Sequence, residues 1–416
     1  MQTKKLNPRS KRLLALAVIL ISASSATASS KFKVLHSFHC NASSCYPYGG
    51  LALDVAGNLY GTTPGGGNTN ATIFSLASSS GDRWTYSLLY TLTIDQGSAL
   101  VPSLTLDPAG NLYGTSNNGG AYDVGSVFEL SRDSTVDNGW TLQVLHSFLN
   151  SHQDGSGPWD KVILDKAGSA YGTTRDGGAE GAAGGVIFEL TPGWAGDWAE
   201  SLLYGFPTNR DGCCSRAELS FDQTGNLYGT ASGDGGPPCY CGAVFELQRT
   251  SSGWKEIVLH RFQELDGKTP IAGLVFDAKG NLYGTTQEGG AHNSGTVFQL
   301  ASAGNGRWKH TILYDFPQFK NGGGPVSTLA FDKEGNLYGT SAGGIGPCSG
   351  GCGVVYELTP GSNGKWTYSV LHRFTDGNDG AEPNGALIFD KTRTHLYGTA
   401  IFGGTSNQGV VYEITP

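Results

Sequence analysis

From Lys33 onward, apolar residues come in short runs that stop at Gly, Asn, Asp or Pro. One full cycle starts with Leu274-Val275-Phe276-Asp277, a tight turn through Gly280-Asn281, and Leu282-Tyr283-Gly284-Thr285. A glycine-rich loop then leads to Thr296-Val297-Phe298-Gln299-Leu300, and a Gly-x-Trp turn leads to the run from Trp308 to Phe316. Runs of this length, rich in β-branched and aromatic residues and bounded by turn formers, predict strands and hairpins. No segment beyond the N-terminal leader sustains a 3.6-residue apolar period, so no helix is expected there.

The cycle repeats. Tyr-Gly-Thr recurs at Tyr60, Tyr113, Tyr171, Tyr228, Tyr283, Tyr338 and Tyr397, at spacings of 53 to 59 residues. Four antiparallel strands per repeat, seven times over, predict an all-β, seven-bladed β-propeller. A β-solenoid would use a shorter repeat and need not stop at seven. The ends of the chain sharpen the reading. Its last run, Val410 to Ile414, is a third strand, whereas Lys33 to Phe38 matches fourth strands such as Val144 to Phe148. The N-terminal strand is therefore expected to join the C-terminal blade and close the ring. Six fourth strands carry a tryptophan (Trp84, Trp140, Trp198, Trp254, Trp308, Trp366) and the N-terminal copy lacks it. The expectation is that this ring packs beside a hairpin turn that the N-terminal strand does not enter.

The composite pattern Leu-x-Phe-Asp-x-x-Gly-Asn-Leu-Tyr-Gly-Thr-Thr, then Gly-Gly, then Gly-x-Val-Phe-Glu-Leu, resembles the GloVer tandem repeat. The resemblance covers all seven repeats. It implies one of the choice-of-anchor tandem-repeat GloVer-containing proteins, exported bacterial proteins of undefined function, and it brings no catalytic residue and no cofactor. Neither a linker nor a hydrophobic sorting tail precedes Pro416, so anchoring by that route is not expected.

Export has its own signal. Lys4, Lys5, Arg9, Lys11 and Arg12 form a basic stretch, Leu13 to Ile21 an apolar one, and Ala26-Thr27-Ala28 a cleavage site, which reads residues 1–28 as a signal peptide. Residues 29–416 are then the single propeller domain. The apolar stretch is shorter than the roughly 20 residues that span a bilayer, and the residues before Cys40 do not fit a lipoprotein signal. The expected destination is the periplasm or the medium, without membrane insertion, as a monomer. A net charge of −8 without a basic cluster argues against nucleic acid and anionic membranes as partners.

Features present in every repeat are read as scaffold. Asp54, Asp107, Asp165, Asp222, Asp277, Asp332 and Asp390 stand where a carboxylate can accept backbone N–H groups of the first hairpin turn. A calcium ring is the alternative, but single aspartates followed by Gly-Asn lack the ligand density of a calcium loop. His36, His146, His260 and His372 alternate with Tyr90, Tyr204 and Tyr314 in the fourth strands, as expected of half-buried aromatic groups with a polar tip. The glycine of Tyr-Gly-Thr is expected to admit a ring or backbone at close range.

The long second-to-third and fourth-to-first loops emerge on one face, where departures from the repeat carry function. All eight cysteines lie there. Cys40–Cys45 and Cys348–Cys352 are expected as disulfides by proximity, with Cys213 or Cys214 bonded to Cys239 or Cys241. Their irregular spacings do not read as a zinc site, and no metal or cofactor is expected. Aligned on their leucines, the first strands place Gly50, Ser103, Lys161, Glu218, Gly273, Thr328 and Ala386 at one position. The first strand lines a propeller's channel, so Lys161 and Glu218 should meet near its mouth. The loops of the same two blades add His152, Asp154, Trp159, Asp160, Arg175, Asp176, Arg210, Asp211 and Arg216, and an aromatic ring among convergent charges fits a polar ligand or sugar. Solvated loop charges and an ion pair of little energetic value are the plainer reading. The sequence has no Gly-x-Ser-x-Gly, His-Glu-x-x-His, P-loop or dinucleotide motif. The expected function is non-catalytic recognition of an extracellular glycan or protein, or a scaffold role. The alternative is a polysaccharide hydrolase or lyase that uses the Lys161/Glu218 region with Asp154, Asp160 and Asp211.

Overall fold

The computed structural model describes residues 30–39, 45–64, 70–79, 83–100, 103–149, 151, 154–178, 184–207, 215–233, 240–317, 322–344, 347–348, 351–362 and 364–416. The predicted signal peptide, His152, Arg210, Asp211, Cys40, Cys213, Cys214 and Cys239 lie outside these residues. The described residues form seven antiparallel sheets, and there is no helix among them. In blade 1 the strands Ala52–Leu53, Leu59–Thr63, Thr72–Ser79 and Arg83–Thr91 pair in sequence order, and the other blades repeat that order. Blades are numbered along the chain, so that Lys161 belongs to blade 3 and Glu218 to blade 4.

Ring closure follows the expectation. Lys31–Ser37 pairs with Val410–Thr415, from Lys31 opposite Thr415 to Ser37 opposite Val410, and becomes the outermost strand of blade 7. Second strands are buried on both faces because each blade is covered by two neighbours. The core accordingly lies in seams between blades. Ile73 and Leu89 of blade 1, for example, cluster with Leu104, Phe128 and Trp140 of blade 2.

The repeated Tyr-Gly-Thr motif ties these seams together. Its tyrosine donates to the turn aspartate of its own blade: the hydroxyl lies 3.1 Å from Asp277 Oδ2 for Tyr283 and 3.0 Å from Asp332 Oδ2 for Tyr338. Its glycine lies under a third-strand ring; a Cβ on Gly284 would stand 2.7 Å from Phe298 Cζ, and one on Gly114 2.4 Å from Phe128 Cζ. In several repeats its threonine crosses to the next blade. Thr115 Oγ1 donates to Asp160 O at 3.0 Å, Thr230 to Ala272 O at 3.1 Å and Thr399 to Gly49 O at 2.8 Å.

Two details go beyond the sequence reading. The fourth-strand tryptophans pack across the seam on the preceding blade's motif tyrosine, as with Trp84 on Tyr397 and Trp198 on Tyr113. Blade 3 also gains an extra short strand, Gly155–Pro158, which pairs with the far end of Ala170–Gly177. The corresponding loops of four other blades make only isolated bridges there.

Candidate ligand site at the channel mouth

Side chains two residues apart on an extended chain share a face. The lead-in to each first strand therefore presents two tiers of side chains to the channel. The lower tier is the aligned position: Gly50, Ser103, Lys161, Glu218, Gly273, Thr328 and Ala386. Two residues upstream, an upper tier comprises Tyr48, Trp159, Arg216, Ile271, Val326 and Asn384 in the described blades. All six line a cavity of about 280 Å³ at the mouth, with Ser103, Asp160, Glu218, Gln287 and Thr328 beneath or beside them. A second cavity of about 710 Å³ lies below, walled by Ile163, Phe221, Phe276, Phe331 and Phe389 of the first strands.

Lys161 and Glu218 meet as expected, with Nζ 2.7 Å from Oε2. Glu218 lines both cavities, so the pair forms a floor between them. Gly273 makes room for it: a Cβ there would lie 2.3 Å from Glu218 Cγ. Asp160 braces the floor from behind. Its Oδ1 accepts the Lys161 N–H at 2.7 Å and its Oδ2 accepts the Glu218 N–H at 3.0 Å, linking blades 3 and 4. Burial pushes the Asp160 carboxyl up to about 7, with repulsion from Glu218 adding to it and Lys161 and the two N–H groups opposing. Burial works to lower Lys161, but the charge and hydrogen bond of Glu218, with Asp160, outweigh it and raise its pKa. The ammonium form is held firmly.

At the rim, Arg216 lies over the Trp159 ring, 5.2 Å from guanidinium carbon to centroid, and Arg175 reaches the same ring at 5.8 Å. Arg175 also pairs with Asp176, at 2.6 Å. Two buried polar atoms of the rim, Arg216 Nε and Asn384 Oδ1, have no hydrogen-bond partner among the described residues. Burial raises the Tyr48 phenol, which is partly held back by a hydrogen bond with Asn384 and by the charge of Arg216. Trp159, Asp160, Arg216, Glu218 and Lys161 are thus brought together, with Arg175 behind the tryptophan. Asp154 is not. It is buried between blades 2 and 3, where it accepts the Leu149 and Gly155 N–H groups and faces His146. Its role is to hold the loop that leads to Trp159.

Tyr48, Gln287 and Asn384 escaped the sequence reading, which followed charge and one tryptophan beside it. For Tyr48 and Asn384 the signal was present: the same alignment moved two residues upstream. Cys348 and Cys352 form the expected disulfide, and Cys45 and Cys241 are disulfide-bonded as well.

Residues 68–255 and 234–416 match the Gloeobacter/Verrucomicrobia repeat, which together is most of the chain. The chain belongs to the Gloeobacter/Verrucomicrobia repeat family. The GloVer resemblance of its motifs is thereby a membership, and the seven blades are the form that the repeat takes here. No curated protein matches the chain. Among solved structures, a protein of unknown function from Dyadobacter fermentans is similar over 93% of this chain and 99% of its own, at 10% identity and a TM-score of 0.48. A candidate oxidoreductase (glucose dehydrogenase) from Thermus thermophilus is similar over 93% of this chain and 100% of its own, at 15% identity and a TM-score of 0.43. A luciferin-regenerating enzyme is similar over 75% of this chain and 90% of its own, at 14% identity and a TM-score of 0.42. Likeness at that level carries no argument about what this repeat-family member does.

Proposed function

We propose that this propeller is an exported recognition module that binds an extracellular glycan at the mouth of its channel. One observation carries the reading: Arg216 and Asn384, whose buried Nε and Oδ1 have no hydrogen-bond partner among the described residues, line the same cavity as Trp159. Buried polar atoms without partners are costly, and a hydroxylated ring stacked on tryptophan would supply both partners. A small concave site with a few convergent polar groups is the usual make-up of a ligand pocket. The ionisable groups are meanwhile committed to structure, with Lys161 paired to Glu218 and both Asp160 oxygens bound to backbone N–H groups. Export agrees with the basic and apolar leader and with the Cys348–Cys352 disulfide, which belongs to an oxidising compartment. Among the described residues no helix is long and apolar enough to cross a membrane.

A polysaccharide hydrolase or lyase is the second reading. It is favoured by the Asp160 carboxyl, whose pKa of about 7 suits proton transfer near neutrality. A thermal-shift screen against oligosaccharides, followed by product analysis of each hit, separates the two. Recognition predicts a raised unfolding midpoint that Arg216→Ala removes, with the glycan recovered intact. Catalysis predicts shortened or unsaturated products that disappear in Asp160→Asn. A panel that shifts neither protein would contradict both readings for the glycans it contains.

A further inference from the structure

Neighbouring blades also meet along their outer edges, where one fourth-strand residue faces a fourth-strand residue of the next blade. Several of these pairs are stacked rings: His36 on Tyr86 at 4.4 Å between centroids, Tyr314 on Tyr368 at 4.2 Å, and His372 on Phe32 at 3.7 Å. The seam between blades 4 and 5 stacks two imidazoles, His260 on His310, at 4.2 Å and 4° from parallel. Asp266, in the loop after the His260 strand, brings Oδ2 to 3.2 Å from His260 Nε2. One ligand atom from each of the three residues lies within 4.8 Å of the others.

Stacking accounts for the rings but not for their nitrogens, since Phe32 and Tyr86 stack without any. The Nε2 atom of His310 is buried without a hydrogen-bond partner among the described residues, whereas His260 Nε2 is paired with Asp266 Oδ2. The seam between blades 2 and 3 gathers His146, Asp154 and Glu200, with a single imidazole whose Nε2 has carboxylate oxygens at 3.3 and 3.6 Å. Among the described residues, a buried imidazole nitrogen without a partner faces a second imidazole and its carboxylate between blades 4 and 5.

We propose that His260, His310 and Asp266 bind a divalent transition-metal ion of the zinc class, which clips blade 4 to blade 5. Two imidazoles and a carboxylate are a donor set that zinc, cobalt and nickel accept and that calcium and magnesium do not favour. The side chains of His260 and Asp266 are 19% and 30% exposed, which leaves a path for the ion and for a water to complete its shell. The parallel rings set their lone pairs side by side. Binding therefore splays them until both nitrogens reach the roughly 2.0–2.1 Å of a zinc–imidazole bond.

The test uses the full propeller after chelator treatment, titrated with Zn²⁺ by calorimetry and with Co²⁺ by visible absorption, beside His310→Phe and Asp266→Asn. Phenylalanine is the ring that Phe32 brings to the equivalent place, so His310→Phe keeps the stack while removing a ligand. The wild type is expected to bind one equivalent more than either variant. The ligand-field bands of that equivalent should be lost in His310→Phe, and zinc should raise the unfolding midpoint further in the wild type. Equal stoichiometry and equal cobalt spectra in wild type and variants would overturn the proposal, as would no binding by the wild type at millimolar metal. If His310→Phe does not fold, Asp266→Asn decides by the same readings.

Discussion

Asp277 accepts hydrogen bonds from the Lys279 and Asn281 N–H groups, the Asn281 amide and the Tyr283 hydroxyl, all between 2.7 and 3.1 Å. Burial works to raise its pKa, but these donors outweigh it and hold the carboxyl below its ordinary value; Asp54 and Asp222 behave alike, and Asp390 falls to about 2. A carboxyl depressed in the folded state adds stability above its unfolded pKa, near 3.9, and that stability is lost as pH falls through the folded value. The unfolding midpoint should therefore drop steeply from about pH 4 toward pH 2, and Asp277→Ala should cost about 2 kcal/mol at neutral pH, both read from denaturation curves. Asp160 has the opposite sign. Its carboxyl, raised to about 7, keeps its proton in the folded state while the unfolded chain loses it, so stability declines as pH rises from about 4 to 7. Asp160→Asn should flatten that slope. At the motif glycine, Gly284→Ala drives a Cβ into the Phe298 ring and should cost about 1–3 kcal/mol. The sequence announced the aspartate and the glycine by repetition. The tyrosine and threonine bonds were not legible, because their partners are fixed by how blades pack.

Strands were legible wherever seven copies superimpose, and less so where the ring imposes its own geometry. The apolar run Leu274-Val275-Phe276 yields only a two-residue strand, Val275–Phe276, because the first strands converge on the channel. The extra strand Gly155–Pro158 had no repeat counterpart to reveal it, yet it immediately precedes Trp159 and Asp160. The closing strand could be read because a fourth strand was missing at one end and present at the other. Deleting Lys31–Ser37 uncovers the edge of Val410–Thr415, and unpaired edges recruit other strands. The truncated chain is expected to melt at lower temperature and to associate on size-exclusion chromatography. The Cys348–Cys352 staple spans four positions, so reduction at that site should cost about 2 kcal/mol by loop-closure entropy. Comparing the wild type with Cys348→Ser/Cys352→Ser by denaturation checks it.

At the scale of the whole molecule, seven near-equivalent blades place differing residues around one opening. Symmetry supplies the position and departures from symmetry supply the chemistry. Charge marked Lys161 and Glu218 as an odd pair in the lower tier, and they form the floor at 2.7 Å. The tier above it, with Trp159, Arg216 and Asn384, has the unpartnered polar atoms and the tryptophan ring, over which Arg216 lies. Trp194 offers a control, being fully exposed in the Gly193–Gly196 turn on the opposite face. The most direct measurement is calorimetric titration of a glycan that stabilises the protein into wild type, Trp159→Ala and Trp194→Ala. A site at the rim predicts at least tenfold weaker binding for Trp159→Ala, about 1.4 kcal/mol, with Trp194→Ala unchanged. Equal affinity in wild type and Trp159→Ala would place the ligand elsewhere and contradict the account.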